Sequence, residues 1–327
     1  MTKNPDYKRL TAKECARLLT EIERPIVLIH VRPDGDAVGS ACALCEIYAQ
    51  LGRECRFLSA DKIPERLAFI YEHVGAKIAT EAEEFTATVA IDVASPAQLG
   101  ALYKKFPTVA LMIDHHAVGE QFANGYIVPE ASSAGEALLE VAYELIKEGY
   151  IKMTESLAYA LYSAISSDTG CFAYSNTSSK THRFAANLIE AGIDSADINH
   201  RLFYSKSKSQ IKAEGFVAKG LKTALEGKVA YSAIELCDLD NLNLTQDDFE
   251  TAIDVVRSTV GAEIAFVVKE TESGKYKISL RSTGANVAEV AKELGGGGHI
   301  RAAGCSVSSD SVGDAVNLML LKLKNIL

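Results

Sequence analysis

Three short stretches of this 327-residue chain gather side chains able to bind metal or move protons. The first is His30 with Pro33-Asp34-Gly35-Asp36, the second is Asp92, and the third is Asp114-His115-His116. Each closes a run of aliphatic residues: IVLIH, TVAID and VALMID. Continuous Val/Ile/Leu runs separated by helical stretches read as parallel strands buried on both faces. In open α/β sheets, ligands bind just beyond the carboxyl ends of such strands. Four or more carboxylates and two or three imidazoles would then meet at one sheet edge. Unpaired, those charges repel and are costly to bury, and a pair of divalent cations removes the penalty.

Each residue alone has a plainer reading. Asp34 or Asp36 could cap the helix that follows, Asp92 could belong to a turn before Pro96, and a single His is usually a satisfied core or surface residue. Gly39 and Ser40 fall near the start of the next helix, where free amides favour an anion. Successive strand residues point to opposite sides, so one of His115 and His116 can ligate metal while the other faces a substrate. Asp168, in SAISSDTGCF, reads on its own as a C-cap or turn residue.

Further along, ELGGGGHIRAAG places Gly295 to Gly298 before His299. Four glycines in an ordered position imply backbone that touches something closely. With the start of a short helix they would form an anion-binding nest; the plainer reading is a flexible linker. Arg281 closes the strand KYKISLRS and could give a bidentate phosphate contact, or simply be an exposed strand-end arginine.

The elements that position these residues follow from periodicity. Thr11 with Glu14 forms a capping box before a helix over 12–23. Further helices are expected at 36–51, 132–148, 154–167 and 179–191, the last followed by Gly192 as a C-cap. Residues 193–213 are polar and read as a linker, helical in part. From 214 to 327 the pattern turns to strands (KVAYSAIEL, AEIAFVVKE, KYKISLRS) with helices. The fold class is therefore α/β, with a parallel-sheet domain over 1–192 and a smaller mixed-sheet α/β domain over 214–327.

Composition narrows the function. With 34 Lys+Arg against 43 Asp+Glu and a formal charge of −9, no cationic clamp on long duplex nucleic acid is expected. No apolar run reaches about 18 residues, so no membrane span is expected. The amino terminus has no leader-like apolar stretch, which makes the cytoplasm the default location. Seven scattered cysteines suggest no disulfide framework, and Cys42 and Cys45 read as helix packing.

Taken in order, His30 with PDGD, Asp92, Asp114-His115-His116, Asp168 and the terminal GGGGH with AAG resemble the DHH phosphoesterase superfamily. The glycine block is similar to the DHH-associated domain of its RecJ-like and nanoRNase/pAp phosphatase members. The resemblance implies two Mn²⁺ ions per active site, one held by His30, Asp34 and Asp92, the other by Asp36, Asp92, His115 and Asp168. It implies a catalytic group of Asp114, His115 and His116, with His116 at the scissile phosphate and Asp114 orienting a histidine. Arg281, Gly296, Gly297, Gly298 and His299 would grip substrate across a cleft between the domains. The implied activity is hydrolysis of very short RNA oligonucleotides to mononucleotides and of 3′-phosphoadenosine 5′-phosphate (pAp) to AMP, by a homodimer. The alternatives are a phosphodiesterase for cyclic dinucleotides or linear products such as pApA, a RecJ-like single-strand exonuclease, and a nucleotide sensor without turnover. One departure is Gln98, standing where members often carry an arginine.

Overall fold

A computed structural model describes residues 7–80 and 83–327; residues 1–6, part of the amino-terminal stretch read above, residues 81–82 and the His299 side chain lie outside that description. The chain divides into two compact units after Ser205.

The first unit is built on a parallel sheet of β1 (Pro25–Leu28), β2 (Arg56–Leu58), β3 (Ala87–Ile91), β4 (Leu111–Asp114) and β5 (Gly125–Ile127), in the order β2-β1-β3-β4-β5. Alternate residues serve opposite cores. Val27, Val89, Ile91, Leu111 and Ile113 pack on the helical side, while Ile26, Leu28, Ala90 and Met112 pack on the other. That double burial is what the unbroken aliphatic runs anticipated. The three-residue strands β2 and β5 are too short to stand out in the sequence.

The helices are α1 (Ala12–Glu21), α2 (Gly35–Gln50), α3 (Ala68–Val74), α4 (Leu102–Lys105), α5 (Ala134–Lys147), α6 (Glu155–Asp168), α7 (Ser179–Glu190) and α8 (Ser195–Asn199). The Thr11–Glu14 capping box forms as expected. Cys42 and Cys45 are buried in α2, with Cys45 Sγ 3.5 Å from Cys55 Sγ. Much of the stretch expected as a linker is helical: α8 runs directly into a π-helical turn over His200–Tyr204.

In the second unit, α9 (Lys208–Lys219), α10 (Leu236–Leu242) and α11 (Ala252–Arg257) cover one face of a six-stranded sheet; α12 (Val287–Glu293) and α13 (Val312–Leu323) cover the other. The strands are β6 (Lys222–Ala224), β7 (Val229–Ile234), β8 (Ile264–Glu272), β9 (Lys275–Ser282), β10 (Gly297–His299) and β11 (Ala302–Ser308), ordered β10-β11-β9-β8-β7-β6. β7 and β8 run parallel and the other pairs antiparallel, so the sheet is mixed. Among the described residues no helix is long and apolar enough to cross a membrane.

Close approach of α2, α5 and α6 brings the ends of these helices together. A Cβ on Gly39 would stand 2.7 Å from the Ala160 carbonyl oxygen and 2.8 Å from the Ala164 nitrogen; one on Gly135 would stand 2.5 Å from the Ala164 Cβ. Gly39 therefore lies inside α2 as a packing residue, and neither it nor Ser40 offers a free helix-start amide. Helix propensity alone predicts that Gly39→Ala stabilises by about 1 kcal/mol. The steric conflict with α6 backbone predicts the opposite sign, a loss of about 1–3 kcal/mol. Denaturant midpoints of the two proteins decide it, and a raised midpoint contradicts the packing described.

Candidate metal centre

The chain runs from β1 outward to β2 on one side and returns to β3 on the other. The β1/β3 boundary is therefore the point at which strand order reverses, where α/β sheets open a ligand crevice. His30 leaves β1 and Asp92 leaves β3 at this crevice. Asp92 takes a left-handed backbone, φ +57°, a conformation that costs energy for a non-glycine residue and concentrates at functional sites.

His30 Nδ1 lies 2.8 Å from the Val31 carbonyl oxygen. A carbonyl only accepts, so Nδ1 carries the proton and neutral His30 presents a lone pair at Nε2. That Nε2 stands 3.3 Å from Asp92 Oδ2 and 3.7 Å from Asp34 Oδ1. Asp34 also caps α2, its Oδ1 accepting the amides of Asp36 and Ala37. Helix cap and site residue are here the same side chain.

His115 repeats the arrangement. Its Nδ1 lies 3.3 Å from the Ala131 carbonyl oxygen, and its Nε2 faces Asp36 Oδ2 at 3.7 Å, Asp92 Oδ1 at 3.6 Å and Asp168 Oδ2 at 3.7 Å. Asp36 is buried and accepts the first amides of α5, from Ala134 at 2.7 Å and Gly135 at 3.0 Å, and the Ser40 hydroxyl at 3.0 Å. Asp168 ends α6. His116 Nδ1 donates to Asp114 Oδ1 at 2.7 Å and lies 3.8 Å from Asp92 Oδ1.

Two triads result, His30–Asp34–Asp92 and Asp36–His115–Asp168, and Asp92–His115–His116 links them; within each, one donor atom per residue lies within 4.8 Å of the others. Asp92 faces both sides, Oδ2 toward His30 and Oδ1 toward His115. The buried Asp92 Oδ1 has no hydrogen-bond partner, although an unsatisfied buried carboxylate oxygen is costly.

The electrostatics show what the cluster lacks. Burial raises the Asp92 carboxyl, but His115 and His30 outweigh it and hold the group below its usual range. Asp36 is raised by burial and by Asp92 and Asp168. Burial, with Asp34 and Asp92 adding to it, pushes Asp168 up to about 7. For His30 burial favours the neutral ring, yet Asp34 and Asp92 prevail and push it up to about 11. His115 and His116 are likewise raised against burial, by Asp92 and Asp114 respectively as the leading partners. Without cations, the cluster balances its charge only by taking up protons. Two imidazole lone pairs and four carboxylates, one of them with an orphaned oxygen, are a donor set that fits divalent metal.

Of the other residues singled out in the sequence, Gln98 belongs to the first unit and Arg281, the glycines and His299 to the second. The Gln98 side chain accepts the Ala94 amide at 2.6 Å, closing its own turn. Arg281 on β9 pairs in register with Ala302, which pairs with His299. The expected helix start after the glycines is instead the β10–β11 hairpin. A Cβ on Gly298 (φ +137°) would stand 2.5 Å from the Ala302 carbonyl oxygen, and one on Gly296 2.1 Å from that of Gly304, so these glycines approach β11 closely. The sequence did not disclose that the turn over 131–133 and the start of α5 grip His115 and Asp36 together. The only sequence signal there was a helix start, which names neither partner.

Two family descriptions match the chain: the DHH family, N-terminal domain, over residues 24–165, and the DHHA1 domain over residues 226–325. The chain is 26% identical to the bifunctional oligoribonuclease and PAP phosphatase NrnA of Bacillus subtilis, over 93% of this chain and 95% of that protein. It is 28% identical to the Thermus thermophilus protein of the same name, over 93% and 91%. The crystal structure of an exopolyphosphatase-related protein from Bacteroides fragilis shares the fold, with a TM-score of 0.85 at 22% identity over 96% of each chain. With strand-end histidines and aspartates around one crevice in its first unit, the chain carries a DHH family N-terminal domain and a DHHA1 domain and is a hydrolase acting on phosphoester bonds.

Proposed function

We propose that this protein is a cytoplasmic, Mn²⁺-dependent enzyme that degrades very short RNA oligonucleotides to mononucleotides and removes the 3′-phosphate of pAp. The observation that carries the metal centre is Asp92, whose two oxygens face His30 and His115 from opposite sides while Oδ1 lacks any hydrogen bond. The names of the Bacillus and Thermus relatives support the substrates.

In this reading His30, Asp34 and Asp92 hold one cation and Asp36, Asp92, His115 and Asp168 the other. Imidazole among the donors favours Mn²⁺ over Mg²⁺. A bound pair of such ions lowers the pKa of a water and stabilises charge on the phosphorus centre. Asp114 fixes the His116 ring through Nδ1, and His116 contacts the scissile phosphate. Arg281, Gly296, Gly297, Gly298 and His299 hold the nucleotide. In hydrolysis of pAp, a water oxygen bonds to the 3′-phosphorus, the P–O3′ bond breaks, O3′ takes up a proton in place of the one the water gives up, and AMP and phosphate leave.

With Mn²⁺, pAp and RNAs of two to five nucleotides should be hydrolysed faster than pApA, cyclic di-AMP or pyrophosphate. A best rate on pyrophosphate or on a cyclic dinucleotide overturns the substrate assignment. Asp92→Asn should keep the fold by circular dichroism and lose more than about 100-fold in activity, beyond the usual cost of disturbing a ligand's supporting contacts. A variant within tenfold of the parent contradicts a bridging role.

The pKa shifts set a third expectation. Asp168 holds its proton more tightly folded (about 7) than at its ordinary value of 3.8, and His30 likewise at about 11 against 6.5. Each contributes stability that is present below the ordinary value and is lost as pH rises through the folded one. Asp92 has the opposite sign and its contribution is lost on acidification below 3.8. Metal must displace the protons on the first two. Titration calorimetry of metal-free protein with Mn²⁺ at pH 7, in two buffers of different ionisation enthalpy, should therefore register proton release. Equal heats in both buffers contradict the charge balance described.

A further inference from the structure

We infer that Glu136 is a positioning residue for half of the metal centre, acting through the turn over residues 131–133 and the start of α5; this inference rests on the two-cation reading above. That turn and the first residues of α5 touch one group of ligands from three directions. The Ala131 carbonyl orients His115. The Ala134 and Gly135 amides hold both oxygens of Asp36. The Asn176 side-chain amide donates to the carbonyls of Ser132 and Asp168, tying the turn to the end of α6. Asp36, His115 and Asp168 are the three residues of one triad.

The turn is in turn clamped from beneath. Glu136, 1% exposed, sits in the first turn of α5, at a position where burying a carboxylate is costly unless it is bonded. Its Oε2 accepts the Ser132 hydroxyl at 2.6 Å, the Ser132 amide at 3.4 Å and the Thr181 hydroxyl at 2.8 Å. Thr181 belongs to the capping box that starts α7, so one carboxylate oxygen fastens the turn to two helices. The Glu136 carboxylate bonds Ser132 and Thr181 rather than His115, Asp36 or Asp168, and its effect on them passes through the backbone of the turn and of the first residues of α5. Outer contacts that fix a ligand's orientation commonly change metal affinity by about 10–100-fold.

The test is Mn²⁺ binding to the full-length, metal-free chain, followed by the electron paramagnetic resonance signal of free Mn²⁺, with circular dichroism confirming the fold. Glu136→Ala should weaken the Asp36–His115–Asp168 site by about 10-fold or more and leave the His30–Asp34–Asp92 site unchanged. Its kcat on pAp should fall with KM unaltered. Glu136→Gln keeps an oxygen acceptor and should restore most of the affinity. Leu145→Ala, on the same helix but away from the turn, should leave both affinities intact. If Glu136→Ala does not fold, Thr181→Val, which removes one of the three bonds, should show the same selective weakening to a smaller degree. A Glu136→Ala or Thr181→Val protein that binds two Mn²⁺ as the parent does overturns the inference, as does equal weakening by Leu145→Ala. A parent chain that binds fewer than two Mn²⁺ overturns instead the two-cation reading on which it rests.

Discussion

Charge crowding at the β1/β3 crevice governs the rest of the structure. Asp34, Asp36, Asp92 and Asp168 converge on the Nε2 atoms of His30 and His115, and the innermost groups are shut away from water. Several carboxylates cannot all ionise at such range without a counter-charge. Protons supply it in part, as the upward shifts of His30, His115 and Asp168 indicate. They leave Asp92 Oδ1 with no partner. Divalent cations would satisfy both requirements, which is why the donor set fits metal.

The fold can be understood as the means of enforcing that crowding. Parallel strands place Asp92 and the Asp114–His116 segment at one edge, and the reversal of strand order opens the space between them. Glycines on α2 and α5 let both helices lie against α6, so the start of α2, the start of α5 and the end of α6 arrive together. Helix amides then offset part of the carboxylate burial: those of α2 at Asp34 and those of α5 at Asp36. The same dipoles that favour anions at helix starts thus help hold these carboxylates in place.

Much of this was legible in the sequence, and the reason is local. His30, Asp92 and Asp114-His115-His116 each terminate an aliphatic run, so their strand-end placement follows from periodicity alone. The helices over 36–51, 132–148, 154–167 and 179–191 carried strong apolar patterns and appear within a few residues of their expected ends. Asp168 was different: as the last residue of a helix it looked like a cap, and only family resemblance gave it weight. What could not be read was long-range. Nothing in SSAGE indicates that its amides reach Asp36, and nothing in GGGGH distinguishes a strand paired with β11 from a nest opening a helix. Short strands such as β2 and β10 were missed because three residues cannot display a period.

The central claim is that Asp92 joins two divalent cations. It is tested most directly by anomalous diffraction from crystals of this protein grown with Mn²⁺. The account predicts two peaks on either side of the Asp92 carboxylate, about 3.5–4 Å apart, one beside His30 and the other beside His115. A map with no peak there, or a single ion that leaves Asp92 Oδ1 without a partner, would contradict it.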